Sequence, residues 1–157
     1  MESNAITYHL SKKDKQAIIF GIQIGIPEYR YIKDTRINKD ALALVDTGAT
    51  GSCISRRFAL NAQLKPFGRI KIKGFDVISI VPVYIIDILL PNGISFKNIE
   101  AAEYKSDTNF DCIIGMNILG KGDMALSNAN DEMVFTFRVP PAEKHIDFVK
   151  EKETISL

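Results

Sequence analysis

Short stretches in which apolar and polar residues alternate dominate the first half of the chain. Apolar side chains take every second position for much of Gln16 to Ile26, which predicts a strand. Arg69 to Lys73 alternates strictly between cations and isoleucines, so it predicts a strand with one polar and one apolar face. Ala41 to Val45 is apolar throughout and predicts a strand buried on both faces, whereas the charged segment Glu28 to Asp40 predicts a loop.

The second half of the chain contains pairs of apolar stretches separated by turn residues. Val83 to Leu90 and Ile94 to Ala101 flank Pro91-Asn92-Gly93, and Asn-Gly adopts positive φ at little cost, so a hairpin is predicted. Met124 to Leu126 and Met133 to Phe137 predict a closing hairpin around residues 127–131. Many short strands between turn signals predict an all-β fold.

Two short helices interrupt this pattern. Ser55 to Gln63 predicts a helix because Ile54, Phe58 and Ala62 follow each other at four-residue spacing. Met116 to Leu119 predicts a single apolar turn, since glycines follow it closely.

Size and composition fit one globular domain. The chain has 157 residues, of which 46% are hydrophobic, and a net charge of +1. This charge and the lack of a basic cluster with aromatic residues argue against nucleic-acid binding. No apolar run is long enough to span a membrane, and the first residues lack a signal-peptide pattern, so a cytoplasmic protein without membrane attachment is expected. We divide the chain into a lead-in, 1–16, that orders poorly or packs on an edge, a main domain, 17–140, and a charged tail, 141–157.

Asp46-Thr47-Gly48 is the candidate for chemistry, because it directly follows the apolar strand at 41–45. Placing the Asp46 carboxylate at the end of a buried strand costs free energy, because a charged group loses its hydration there. Such a position therefore suggests a chemical role, and the following hydroxyl and flexible glycine could shape the loop around the carboxylate. The alternative is an aspartate that only caps a turn, since all three residues are common in turns.

A second motif favours the chemical interpretation. Phe110 to Leu119 predicts a short buried strand, a glycine and an apolar helical turn. In this order the motifs resemble those of the retropepsin family of aspartic peptidases, and most closely its cellular, bacterial-type members. The likeness covers residues 41–139 and rests on four segments: Asp46 to Ala49, Thr50 to Ser55, Ile113 to Leu119, and Lys121 to Met124.

The resemblance implies a fold and a set of roles. The fold would be a retropepsin-like, closed or partly open acid-protease β-barrel lobe, and the activity that of an aspartic endopeptidase. Asp46 would be catalytic, and Thr47 would hydrogen-bond across the dimer axis. Gly48 and Ala49 would line the cleft and meet the substrate backbone. Gly115 would let the short helix pack behind the active-site loop.

The hairpin predicted after residue 69 resembles the retropepsin flap that closes over bound peptide. Its tip, Gly74-Phe75-Asp76, would carry the substrate-contacting residues Gly74 and Phe75, and Val77 to Val81 would return antiparallel. The alternative is an ordinary surface hairpin, because periodicity alone does not distinguish the two.

The chain contains one such aspartate motif, whereas the chemistry needs two carboxylates. We therefore expect a homodimer in which two Asp46 side chains meet on a two-fold axis and act on a polypeptide substrate, without cofactor or metal. Viral members have an acid and an arginine where this chain has Thr50 and Met116. Both charges are missing together, which leaves the strength of dimerisation open.

Other interpretations remain. Cys53 and His145 could form a catalytic pair, or both cysteines and a histidine could bind zinc, although the usual ligand spacings are missing. The chain could also be a non-catalytic or latent module of the same fold that binds peptides or dimerises.

Overall fold

Strands make up most of the computed structural model, which describes residues 4–11, 17–27, 38–73, 78–105 and 107–149. The strands among them are β1 Asn4–Leu10, β2 Ile19–Gly25, β3 Asn38–Val45, β4 Cys53–Ser55, β5 Gly68–Lys73, β6 Ile78–Leu89, β7 Ser95–Tyr104, β8 Cys112–Ile114, β9 Asp123–Ala129 and β10 Glu132–Val139. The helices are α1 Arg56–Asn61 and α2 Met116–Leu119. The predicted all-β class with short helices is confirmed.

Seven strands form one sheet in the order β2-β3-β8-β4-β7-β6-β5. The sheet closes into a six-stranded barrel because β2 also pairs with β6, through residues 23–25 and 87–89. Two of its pairs, β3 with β8 and β4 with β7, are parallel. β5 extends the barrel as a hairpin arm on β6.

The remaining strands form a three-stranded antiparallel sheet in the order β1-β10-β9. It packs on the barrel through aromatic contacts: the rings of Phe20 in β2 and Phe135 in β10 lie 6.2 Å apart, and those of Phe96 and Phe137 6.5 Å apart. β1 pairs with β10 along its whole length, so part of the predicted lead-in forms the edge of this sheet. The boundaries at residues 16 and 140 stay predictions.

Local signals explain several of these elements. Ser55 caps α1 by accepting a hydrogen bond from the backbone N–H of Phe58 at 3.1 Å. The Asn-Gly turn between β6 and β7 has φ of 64° at Asn92 and 78° at Gly93, as predicted. The β9–β10 turn is tighter than predicted, since two residues with positive φ, Asn130 and Asp131, connect the strands.

Two sequence predictions about strands were wrong. β3 is not buried on both faces, because Leu42 is 45% exposed on the outside of the barrel. The two strands predicted on either side of Pro82 are one continuous strand, β6. Pro82 pairs with Arg69 of β5, just before the pairing of β6 with β7 begins at Val83. Its missing N–H is tolerated because, among the described strands, β6 has a partner on one side only at this point.

No helix in the described part of the chain is long and apolar enough to cross a membrane.

Candidate active site

The loop that follows β3 carries Asp46 to the end of the barrel. Val45 pairs with Ile114 of the parallel strand β8, and the Asp46 N–H donates to the Ile114 carbonyl oxygen at 3.0 Å. This hydrogen bond, at the end of the β3–β8 pairing, holds the backbone of the aspartate. The residue itself lies beyond the two strands and is half-buried.

The aspartate side chain shapes its own loop. One Asp46 carboxylate oxygen, Oδ1, accepts the Gly48 N–H at 2.8 Å, and the Ala49 N–H donates to the Asp46 carbonyl oxygen at 3.3 Å. A Cβ atom on residue 48 would lie 3.2 Å from Oδ1, which is a tight contact. Glycine at this position therefore lets the N–H approach the carboxylate closely and fixes its orientation.

Helix α2 supports the loop from behind. The Met116 N–H donates to the Ala49 carbonyl oxygen at 2.8 Å, and the Asn117 N–H donates to that of Thr50 at 3.1 Å. Gly115 makes this approach possible, because a Cβ there would lie 2.8 Å from the Ala49 carbonyl oxygen and closer still to that of Gly51. The structure thus places Gly115 directly against the loop of Asp46.

Two residues that the sequence did not single out complete this support. Ser52 is 2% exposed; its hydroxyl donates to the Asn117 side-chain oxygen at 2.8 Å and accepts the Gly115 N–H at 3.2 Å. One buried hydroxyl therefore joins the loop to both ends of the Gly115–Asn117 segment. No local pattern could indicate it, since the partners are more than 60 residues apart.

A groove of about 400 Å³ runs beside the aspartate. Asp46 and Thr47 form one wall, and apolar residues from β9, β10 and the barrel form the rest: Ile18, Val45, Met124, Ala125, Leu126 and Phe135. A carboxylate at the edge of an open, mostly apolar groove can meet both water and an extended peptide. A larger cavity, about 600 Å³, lies elsewhere and does not include Asp46, so size alone does not mark the site.

Comparison with known sequences decides the family. Residues 34–121, more than half of the chain, match the sequence model of the family described as "gag-polyprotein putative aspartyl protease". The protein belongs to the retropepsin-like aspartic peptidase family. A solved structure of a retropepsin-like aspartic protease from Rickettsia conorii is similar at 14% identity, covering 88% of this chain and 96% of that chain, with a TM-score of 0.49. A search of curated proteins returned no match.

The positions that carry the ion pair in viral members of the family are uncharged here and lie at the surface. Thr50 is exposed and Met116 is 40% exposed. Thr50 belongs to the Asp46 loop and Met116 to α2, and backbone hydrogen bonds already connect these two segments.

Asp111, the aspartate beside the second motif, lies away from the Asp46 loop. Asp111 exchanges two hydrogen bonds with the backbone of Leu42, at 2.7 and 3.1 Å, and its other oxygen accepts from Arg57 at 2.9 Å. Asp46 directly follows β3 and lies four residues beyond Leu42, which is roughly 13 Å along the chain at about 3.3 Å per strand residue. Asp111 is therefore a structural residue and does not pair with Asp46.

The cysteines do not have the environment of nucleophiles. Burial raises the pKa of the Cys53 thiol, and the nearby Asp46 carboxylate raises it further. Cys112 is fully buried, which also raises its pKa well above the usual range. His145, the suggested partner of Cys53, is exposed and contributes a small part of the lowering of the Asp123 pKa.

Two further expectations concern metal and the flap. Among the described residues no group of three or more His, Cys, Asp or Glu side chains could hold a metal ion.

β5 and β6 form the predicted hairpin in register from Gly68↔Val83 to Lys73↔Ile78. Its tip, with Gly74 and Phe75, lies outside the described residues, so their role stays a prediction.

Proposed function

We propose that the protein is an aspartic endopeptidase that acts as a homodimer, with one Asp46 from each subunit. The observation that carries this proposal is the Asp46 loop: a carboxylate oriented by the Gly48 N–H, supported by α2 and open to a groove. Membership of the family supports the same activity.

The second carboxylate would come from another copy. Within one chain Asp111 is committed to Leu42 and Arg57, and the Asp46 loop lies at the surface where a symmetric partner can reach it. The Thr47 hydroxyl has no hydrogen-bond partner among the described residues and is exposed, which suits a bond across a two-fold axis. A two-fold axis is the commonest symmetry of soluble oligomers.

The pair would work by sharing one proton, as in other aspartic peptidases. The ionised carboxylate takes a proton from water while the water oxygen bonds to the peptide carbonyl carbon. The protonated carboxyl donates its proton to the carbonyl oxygen. Breakdown of the tetrahedral intermediate then breaks the C–N bond, and a proton passes to the leaving amine. Gly48 and Ala49 would contact the backbone of the polypeptide substrate.

A subunit-mixing experiment tests the shared site. We expect Asp46→Asn alone to lower kcat by about 10²–10⁴-fold or more, since the amide cannot take up the proton of water. When a fixed amount of wild type exchanges subunits with increasing Asp46→Asn, cleavage of a peptide library should fall, because mixed dimers hold one carboxylate. A chelator should leave cleavage unchanged.

Asp40→Asn is the matched control, since it removes an exposed carboxylate of β3 that lies outside the Asp46 groove. Mixed dimers of this variant with wild type keep both Asp46 carboxylates, so cleavage should not fall. Unchanged activity on addition of Asp46→Asn, with exchange verified by labelled subunits, would contradict a shared site. Absence of cleavage in both wild type and the Asp40 variant, over all pH values and concentrations, would favour a peptide-binding or dimerisation module. The cytoplasmic location and the lack of nucleic-acid binding stay predictions.

A further inference from the structure

One face of the β5–β6 hairpin combines cations with apolar residues. Residues that pair directly in an antiparallel ladder lie on the same face of the sheet. The ladder therefore places a row of cations from β5 beside a row of apolar residues from β6. We call this surface the arm face, and its two rows are Arg69, Lys71 and Lys73, and opposite them Pro82, Ile80 and Ile78.

The arm face is turned to solvent. The three cations of β5 are exposed, and Ile80 and Ile78 are 64% and 57% exposed. The opposite face of the hairpin carries Ile70 and Ile72, which are half-buried. The half-buried face is therefore the one turned towards the barrel, and the arm face is free to meet another molecule.

The cations of the arm face have no acidic partner within the part of the chain that the structure describes, since no ion pair there includes Arg69, Lys71 or Lys73. β5 ends the order of its sheet, and lysines on an edge strand hinder pairing with other chains. That role does not account for two large exposed isoleucines beside them, because adjacent exposed apolar side chains favour association. Both rows together indicate a surface that a partner covers.

The spacing of the two rows fits an extended polypeptide. Successive cations are two residues apart, roughly 6.6 Å, and the rows of neighbouring strands lie about 4.8 Å apart. An extended segment points alternate side chains to opposite sides, so each side repeats with the same ~6.6 Å. Acidic side chains on one side would meet the cations, while apolar side chains on the other side would cover the isoleucines.

We propose that the arm face docks an extended segment of the polypeptide substrate in which acidic and apolar residues alternate, away from the bond cleaved at Asp46. This inference rests on the proposed function, since it takes a polypeptide as the substrate. A lipid surface would accept cations and apolar residues in any arrangement. The match between the two rows and the period of an extended chain therefore favours a peptide.

The hairpin stands close enough to Asp46 for one substrate to reach both places. β6 continues from the arm face to Val83, which pairs with Ala102 of β7, and Ala102 pairs with Cys53 of β4. Cys53 lies near the Asp46 carboxylate, which raises the pKa of its thiol. Two strand spacings, about 10 Å, therefore separate Cys53 from Val83. A few residues of extended chain cover this distance.

Peptide binding tests the arm face separately from cleavage. Full-length Asp46→Asn, which should not cut the probe, is titrated with two labelled peptides of equal composition. In one peptide glutamates alternate with isoleucines, and in the other the same residues form two blocks. The alternating peptide should bind on the order of tenfold more tightly, and higher salt should weaken its binding because exposed ion pairs are screened.

Charge reversal assigns the binding to the cation row. Lys71→Glu combined with Lys73→Glu should lower the affinity for the alternating peptide on the order of tenfold or more. The same variant should gain affinity for a peptide with lysine in place of glutamate. Lys121→Glu combined with Lys144→Glu is the matched control, since it changes the net charge equally at two exposed positions outside the arm face. Circular dichroism shows whether each variant is folded.

The apolar row is tested without a change of charge. Ile80→Ser should weaken binding of the alternating peptide, because it removes the apolar surface beside the cations. Leu60→Ser is the control, since Leu60 on α1 is 65% exposed, almost the same as Ile80, and should leave binding unchanged.

Cleavage tests the link to the substrate. Wild type is given two peptide libraries with the same random core, followed by either the alternating or the block segment. The value of kcat/KM should be on the order of tenfold higher for the library with the alternating segment. Charge reversal at Lys71 and Lys73 should remove this advantage.

The outcomes separate the two proposals. Equal affinity for the two peptides would overturn the inference, and so would binding to phosphatidylserine vesicles that requires Lys71 and Lys73 without any peptide preference. Cleavage of both libraries at equal rates would also overturn it and leave the proposed function in place. Binding of the alternating peptide through the arm face, with no cleavage of either library by wild type, would support docking and contradict the proposed endopeptidase.

Discussion

Single residues hold the Asp46 loop through contacts that tolerate little change. At Gly115 the backbone of α2 meets the carbonyl groups of Ala49 and Gly51 without space for a side chain. At Ser52 one hydroxyl serves as donor and acceptor in a buried position. These two positions hold the loop, and the Gly48 N–H orients the Asp46 carboxylate that the loop carries.

Gly115→Ala should destabilise the protein by about 1–3 kcal/mol or more, since the new methyl group overlaps backbone atoms that cannot move aside. We expect cleavage to fall further than stability, because the displaced backbone is that of the loop that carries Asp46. Urea unfolding and kcat measure the two effects. Gly21→Ala is the control, because no atom lies within 4 Å of a Cβ added there. Equal stability of the two variants would contradict the contact.

At the scale of elements, the β9–β10 hairpin is tied to the segment that follows it. The Asp123 carboxylate at the start of β9 accepts the Ala142 N–H at 2.7 Å and pairs with the Arg138 guanidinium of β10 at 2.7 Å. The hydrogen bond from Ala142 and those from Arg138 hold the pKa of Asp123 below its usual value. The carboxylate therefore connects the start of β9 with the end of β10 and with the segment that follows β10.

This arrangement predicts a pH dependence of stability. A carboxyl whose pKa is lowered in the folded state stabilises the protein above the ordinary value of 3.8, and this contribution is lost as pH falls through the lower folded-state pKa. Asp123→Asn should thus be less stable than wild type near pH 7, and the difference should shrink towards about pH 3 and below. Urea unfolding midpoints at the two pH values measure it.

Asp107→Asn provides the control for this prediction, because it removes an exposed carboxylate that has no such partners among the described residues. Its difference from wild type should stay small at both pH values. A difference for Asp123→Asn that does not change with pH would contradict the lowered pKa.

For the whole molecule, the proposed pair of aspartates predicts how activity depends on pH. Cleavage requires one protonated and one ionised carboxyl, so kcat/KM should form a bell on the acidic side of neutral. It falls at low pH when both carboxyls are protonated and at higher pH when both are ionised. Initial rates with a fluorogenic peptide, at protein concentrations where sedimentation shows a dimer, measure the profile. A plateau into alkaline pH would contradict a carboxylate pair.

Much of this fold was readable from local sequence. Alternation at residues 69–73 predicted β5, the Asn-Gly pair predicted the β6–β7 turn, and four-residue spacing from Ile54 to Ala62 predicted α1. These features depend on neighbours along the chain, where side-chain period and backbone preference act directly. The order of the two motifs similarly predicted the family.

Tertiary structure decided which segments meet. Closure of the barrel through β2 and β6 turned Leu42 outwards, although its apolar strand predicted burial on both faces. The pairing of β1 with β10 joined residues 4–10 to residues 133–139, and Ser52 met Asn117 across 65 residues. Such contacts depend on how sheets close and pack, and the period of one strand carries no information about its partner. The sequence by itself therefore determined the aspartate motif, while packing determined the groove beside it.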